Sequence, residues 1–385
     1  MSLTPHEMIR RLVAFDTVSA RSNLELIHFV RDYLMELGID SRLTFDDERN
    51  KANLLAAIGP EVPGGIILSG HTDVVPVAGQ PWDGDPFAVE ERDGRLYGRG
   101  TADMKSFLAV ALALAPEFRA ARLRVPIYLA LSYDEEVGCL GVGGLLADMA
   151  AALPPPAAAI IGEPTRMRLI NRHKGFYAFV TTVTGRDGHS SATHRGVNAI
   201  AGAAEIVGFL SRLAAEIAQR GPFDDGFDPP YTTINVGMIE GGTAINIIAR
   251  QCRLEWEFRP IPGFDIQDVR GRFDAFVADD LLPRLRAVAP EAEVTTTLHS
   301  GSPALVPEPD SPAEALVRLL TGANTAAAVS FGTEGSLFQQ AGIPTVVCGP
   351  GSIEQAHQPN EFIALDQVDA CVAFLRKLKD WAAAA

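Results

Sequence analysis

Residues 66–76 read IILSGHTDVVP: an apolar run that stops at a histidine and an acid. A short, continuous apolar run of this kind suits a strand buried on both faces. The form returns twice. Residues 127–136, IYLALSYDEE, lead into Glu135 and Glu136, and residues 157–164, AAAIIGEP, lead into Glu163. Helical stretches at 103–120 and 142–152 lie between them. Apolar strands alternating with helices predict a largely parallel sheet covered on both faces.

Upstream, the first 60 residues predict two amphipathic helices, the second ending near Gly38, then short strands around 41–45 and 53–58. Thr4, Pro5 and Glu7 form a capping-box start with proline at the first helical position. Downstream the rhythm changes near Lys174. FYAFVTTVTG (176–185) alternates like a half-exposed strand, and a helix at 198–218 follows. Strands at 232–240 and 245–258, a helix near 266–288 and a strand at 294–298 complete a β-α-β-β-α-β order, the ferredoxin-like sandwich. Residues 221–230 (GPFDDGFDPP) and 300–311 read as proline- and glycine-rich connections. The α/β pattern then resumes through TVVCGPG (345–351) and a C-terminal helix. The expected fold is α/β: a catalytic domain with a mixed, mostly parallel sheet, built from 1–173 and 300–385, with an inserted α+β domain at 174–299.

Composition narrows the function. With 385 residues, 47% of them apolar, the chain can bury more than one core. A net charge of −15 repels phosphate backbones, so nucleic acid is not an expected partner. The N-terminus, MSLTPHEMIRR, has no apolar signal region, and the longest apolar stretch, 107–116, is about half of what spanning a bilayer needs. Cys139, Cys252, Cys348 and Cys371 form no CxxC pair and read as reduced, buried thiols. A cytoplasmic protein without membrane contact is expected.

The chemistry lies at the strand ends. His71 and Asp73, Glu135 and Glu136, and Glu163 each follow an apolar strand, while Asp103 opens the helix after the loop YGRGTAD. Ligands of open α/β sheets gather at the carboxyl ends of the strands. One histidine and five acids in one crevice must bind protons or cations. An imidazole–carboxylate donor set suits zinc, cobalt or manganese. A lone strand-end acid is more often a helix cap or a solvated charge, but four segments converging outweigh that reading. Other signatures fail. GRGTADMKS lacks the glycine before lysine of a phosphate loop, and HExxH and GxSxG are absent.

GHTDVVP (70–76), GRGTADMKS (98–106), SYDEEVGCLG (132–141), IGEPT (161–165), GHSS (188–191) and PGSIEQAHQP (350–359) together resemble the signature segments of the M20 metallopeptidase and deacetylase family. The likeness runs from about residue 5 to 380. It implies a two-domain hydrolase of linear amides with two divalent metal ions, zinc first, and an inserted lid that forms a homodimer. On that resemblance His71, Asp103 and Glu163 would bind one metal, and Asp103, Glu136 and His357 the other. Asp73 would orient the His71 ring, Glu135 would be the general base, and His189 would reach in from the partner's lid. Arg259 (EFRP) matches a substrate-carboxylate clamp, and Asn246, Gly332 and Thr333 are further substrate contacts. The residues themselves add that Glu135 and Glu136, adjacent on an extended segment, should diverge and take different roles. His173 and Lys174 sit at the domain junction as hinge or site residues.

The implied reaction is hydrolysis of an N-acyl amino acid, with N-acetylornithine first. Desuccinylation of an N-succinyl diamino acid, general N-acyl-amino acid hydrolysis and a dipeptidase are rivals in the same class. The reading from another class is a non-catalytic metal-binding relative. Glu135 beside a full set of ligand positions argues against it.

Overall fold

The computed structural model describes residues 3–385. In chain order the elements are helices α1 (Pro5–Val13) and α2 (Leu24–Glu36), strands β1 (Ser41–Phe45), β2 (Ala52–Ile58), β3 (Ile66–His71), β4 (Glu90–Arg92) and β5 (Arg95–Tyr97), then α3 (Lys105–Ala120), β6 (Ile127–Ser132), α4 (Val142–Ala152), β7 (Ala158–Pro164) and β8 (Ile170–His173). There follow β9 (Phe176–Thr184), a 3-10 segment Ser190–Arg195, α5 (Ala199–Arg220), β10 (Thr233–Gly241), β11 (Gln251–Arg259), α6 (Gln267–Ala275), a π segment Phe276–Leu281, α7 (Leu282–Arg286) and β12 (Glu293–Ser302). The chain ends with α8 (Pro312–Thr321), β13 (Ala327–Val329), α9 (Gly335–Gln340), β14 (Thr345–Gly349), β15 (Phe362–Ala364) and α10 (Leu365–Ala384).

These elements form two compact units. The first runs up to Arg172 and includes Leu305–Ala328 and Thr333–Ala385. Its eight-stranded sheet has the order β1-β2-β6-β3-β7-β14-β8-β13. The centre is parallel: β6 with β3, β3 with β7 and β7 with β14. β1–β2, β2–β6 and β14–β8 are antiparallel. Every residue of β3, β6, β7 and β14 is buried, as the unbroken apolar runs require. The mixed, mostly parallel sheet is therefore the one the sequence predicts.

Helix α3 lies against this sheet and is buried on nearly all sides, from Phe107 through Phe118. Its approach is close. A Cβ on Gly162 would sit 2.0 Å from the Phe107 ring, so only glycine fits before Glu163. The helix begins at Lys105, with Asp103 on the preceding turn rather than in its first turn. At the start of the chain, Thr4 and Glu7 make the expected reciprocal capping box on α1. All four cysteines are unpaired and buried.

The second unit comprises His173–Ala304 and Val329–Gly332. Its antiparallel sheet has the order β10-β11-β9-β12, the arrangement a β-α-β-β-α-β chain makes in a ferredoxin-like sandwich. Phe179, Thr181 and Val183 of β9 face inward with Leu254, Trp256 and Phe258 of β11, and the Phe179 and Trp256 rings stack at 4.6 Å. Asn198 caps α5 by accepting the N–H groups of Ile200 and Ala201. The second strand of the central hairpin starts at Gln251, later than the sequence suggests, because residues 243–250 form a loop with a turn at 245–246 and an isolated bridge from Ile247 to His189. β10 is an edge strand and exposes Met238 and Ile239. Among the described residues no helix is long and apolar enough to cross a membrane.

Candidate metal centre

β3 and β6 are neighbours in parallel register, with His71 opposite Ser132. Each strand therefore delivers its polar terminus to the same edge, and Glu163 joins them from within β7. His71 Nε2 lies 3.0 Å from Asp103 Oδ1 and 3.7 Å from Glu163 Oε1. His357 Nε2 lies 3.3 Å from Asp103 Oδ2 and 3.0 Å from Glu136 Oε2. Asp103 thus turns one oxygen to each imidazole. Two groups have ligand atoms within 4.8 Å of one another: His71, Glu135 and Glu163, and His71, Asp103 and Glu136.

Two local details differ from the sequence reading. Glu135 and Glu136 lie on a tight turn, not an extended segment, with the Glu135 carbonyl accepting the N–H groups of Gly138 and Cys139. Both carboxyls reach the cluster in different groups, Glu135 with His71 and Glu163, and Glu136 with His71 and Asp103. The Asp73 carboxylate also does more than face the imidazole. Its oxygens accept the Glu135 N–H at 3.1 Å, the Glu136 N–H at 3.3 Å and the Ser19 hydroxyl at 2.7 Å. His71 Nδ1 donates to the Asp73 backbone carbonyl at 2.9 Å, with the carboxylate at 3.5 Å. This bond fixes the tautomer that turns Nε2 towards Asp103 and Glu163.

The electrostatics test whether cations belong here. Burial raises the Glu163 and Glu135 carboxyls well above their ordinary range, and nearby acids add to the effect. Burial, with Asp103 beside it, brings Glu136 to about 7. Burial alone would depress His71, yet Asp103, Asp73, Glu163 and Glu135 hold it well above its ordinary value. Hydrogen bonds to Asp103 and then Glu136 push His357 up to about 10. Burial opposes ionisation of Asp103, but His357 and His71 overcome it and keep the carboxyl well below the usual range. So many buried acids around two imidazoles call for positive charge, which divalent cations would supply. One buried oxygen, Glu136 Oε1, has no hydrogen-bond partner. An orphaned carboxylate oxygen in a buried imidazole–carboxylate set fits a metal ligand.

The other candidates are distributed between the units. Thr333 is buried in the first unit, where its hydroxyl accepts the Gly335 N–H. In the second unit, His189 is exposed, with Nδ1 2.7 Å from the Ser191 hydroxyl. The chain at His189 bridges to Ile247, which makes Asn246 its neighbour. Arg259 engages Glu257 through Nε at 3.0 Å and Nη2 at 3.2 Å. Gly332 packs near Phe176. His173 and Lys174 are buried, and Lys174 donates to the carbonyls of Pro229 and Tyr231.

Sequence reasoning missed Lys51, Arg99 and Glu361, and it placed Glu334 only in a candidate substrate loop. Lys51 pairs with Asp134 at 2.5 Å and donates to the Ser19 carbonyl, so it holds the turn that carries Glu135. Glu334 is buried, accepts the Ser132 hydroxyl at 2.9 Å and is raised to about 7, chiefly by burial. Arg99 and Glu361 form a fully buried ion pair. Glu334 follows the candidate pair Gly332 and Thr333, and Glu361 lies two residues beyond PGSIEQAHQP. No periodicity separates such an acid from a surface one.

Residues 67–379 match the model of peptidase family M20/M25/M40. Acetylornithine deacetylase from Photorhabdus laumondii subsp. laumondii is 35% identical over 381 residues, 97% of this chain and 96% of that protein. The M20 family metallo-carboxypeptidase Sso-CP2 from Sulfolobus solfataricus has a similar fold, with a TM-score of 0.77 at 17% identity over 99% of each chain. The YXEP protein of Bacillus subtilis, described as a dinuclear metal binding peptidase, has a TM-score of 0.64 at 16% identity, covering 97% of this chain and 96% of that one.

Proposed function

Because the chain belongs to peptidase family M20/M25/M40 and is a hydrolase of amide bonds, we propose that it removes the acetyl group from N2-acetyl-L-ornithine, releasing ornithine and acetate in arginine biosynthesis. The observation that carries this reading is the convergence of His71, Asp103, Glu136, Glu163 and His357 around shared carboxylate oxygens, with Glu135 beside them. The 35% identity to an acetylornithine deacetylase supports the choice of substrate.

His71, Asp103 and Glu163 would hold one divalent ion, and Asp103, Glu136 and His357 the other, zinc first and cobalt or manganese next. Bound metal ions would polarise the scissile carbonyl and lower the pKa of water from about 15.7 towards about 7. Glu135 accepts the proton of the attacking water and delivers it to the departing amine. Asp73 keeps Glu135 and Glu136 in place through their backbone N–H groups. Arg259 clamps the substrate carboxylate, its pairing with Glu257 giving way to a bidentate bond with substrate. Asn246, Gly332 and Thr333 complete the substrate contacts.

His189 donates to the developing oxyanion from the lid of a second copy. A homodimer is supported by the apolar side chains Met238 and Ile239 on the edge strand β10, and Ile245 and Ile247 after it, all exposed. Four unpaired thiols support a reducing, cytoplasmic location.

A panel of N-acetylornithine, N-succinyl-diaminopimelate, other N-acyl amino acids and dipeptides tests the reading. The highest kcat/KM is expected for N-acetylornithine. Faster turnover of N-succinyl-diaminopimelate would overturn the substrate assignment.

A further inference from the structure

Asp103 and His357 sit on loops far apart in sequence, and a short chain of side-chain hydrogen bonds through Glu361, Arg99 and Gln80 connects them. Glu361 Oε1 accepts three backbone N–H groups, from Gly100 at 3.1 Å, Ala102 at 2.8 Å and Asp103 itself at 3.1 Å. Its Oε2 accepts Arg99 Nη1 at 2.7 Å, and the two side chains are 0% and 1% exposed. Arg99 Nη1 also donates to the Gln358 carbonyl at 3.3 Å, and Nη2 donates to Gln80 Oε1 at 2.5 Å. Gln80 Nε2 completes the circuit by donating to the His357 carbonyl at 3.0 Å.

We propose that Gln80, Arg99 and Glu361 form a positioning bracket that sets the distance between the Asp103 loop and the His357 loop, and thereby the affinity of the metal position shared by Asp103, Glu136 and His357. The inference rests on the metal assignment made under Proposed function.

The two imidazoles differ in what holds them. His71 is buried, belongs to the β3 ladder and is tied to the Asp73 carbonyl. Its place does not depend on the bracket. The His357 side chain is 52% exposed, and its backbone has φ +62°, a left-handed conformation that non-glycine residues rarely adopt. With the ring half exposed and held otherwise by Asp103 and Glu136 at Nε2, backbone contacts at residues 357 and 358 set how the loop presents it. The bracket supplies contacts to both carbonyls. Loosening it should therefore weaken the second position and spare the first. Gln80 bonds the His357 carbonyl directly, whereas Glu361 bonds the Asp103 backbone directly and reaches the Gln358 carbonyl through Arg99.

The test is calorimetric titration of metal-stripped wild type, Gln80→Ala and Glu361→Gln with Zn2+ against a competing chelator, alongside thermal midpoints. Wild type should take two equivalents. Gln80→Ala should keep the first unchanged and bind the second roughly 10–100-fold more weakly, the loss expected of an outer partner. Excess Zn2+ should restore its kcat at unaltered KM. Glu361→Gln should weaken both positions, the second more. Should Glu361→Gln fail to fold, Gln80→Ala still decides, because its part-buried side chain carries little of the core. Wild-type affinities for both equivalents in folded Gln80→Ala and Glu361→Gln would overturn the bracket alone. A wild type that takes no second equivalent would overturn the metal assignment and the bracket together.

Discussion

Asp103 presents Oδ1 to His71 at 3.0 Å, and its other oxygen is left to face His357 at 3.3 Å. A single carboxylate standing between two imidazoles is the hinge of the cluster. Asp103→Asn replaces one acceptor oxygen by an amide that cannot bind a cation. The expected result is loss of more than the roughly 10–100-fold in metal affinity that an outer partner contributes, with retained helicity. Metal analysis after dialysis checks this. Full metal content in Asp103→Asn would reject Asp103 as a ligand of the two metal positions proposed above.

Glu135 carries a separate prediction. It shares a turn with Glu136, and its carboxyl stands in one group with His71 and Glu163, their ligand atoms within 4.8 Å of one another, a place suited to taking and returning a proton. Glu135→Gln should keep its metal yet lose about 10²–10⁴-fold in kcat. Activity equal to wild type would reject Glu135 as the base.

The sheet was legible because fully buried strands leave a continuous apolar run, as in IILSG, LALS and AAIIG, and each run ends where a member of the acid–imidazole cluster follows. The cluster was legible for the same reason. What escaped were groups whose meaning depends on distant partners. Glu361 reads as a loop acid until its oxygen is seen taking the N–H groups of Gly100, Ala102 and Asp103. Lys51 reads as a surface charge until its ion pair with Asp134 appears. The extended reading of Glu135–Glu136 failed because Asp134 takes φ +57° and starts a turn, a local choice that no hydrophobic period encodes. β4, β5 and β15 are three residues each, too short for a period to register.

A third prediction concerns His189, which is exposed within its own unit. Inactive His189→Ala and Glu135→Ala subunits, mixed under conditions of proven exchange, should form hybrid dimers with one intact site and recover activity. Failure to recover would count against action from a partner subunit.

His173 offers a pH dependence. Burial lowers its imidazole from 6.5 to about 4, against a small opposing effect of its bond with the Lys174 carbonyl. Above pH 6.5 both folded and unfolded chains hold it neutral, and its contribution to stability is fully present. As pH falls from about 6.5 towards about 4, the unfolded chain binds the proton first, and about 3 kcal/mol is lost. His173→Gln, if folded, should flatten the stability profile across that window. An unchanged slope in denaturant titrations at pH 7, 6, 5 and 4 would refute the shift.

The most direct measurement is activity on N-acetylornithine as metal-stripped protein is titrated with Zn2+ or Co2+. The cluster around Asp103 predicts no turnover without metal and a rise that is complete at two equivalents per chain. Full activity in the stripped protein, or none after two equivalents are bound, would contradict the account.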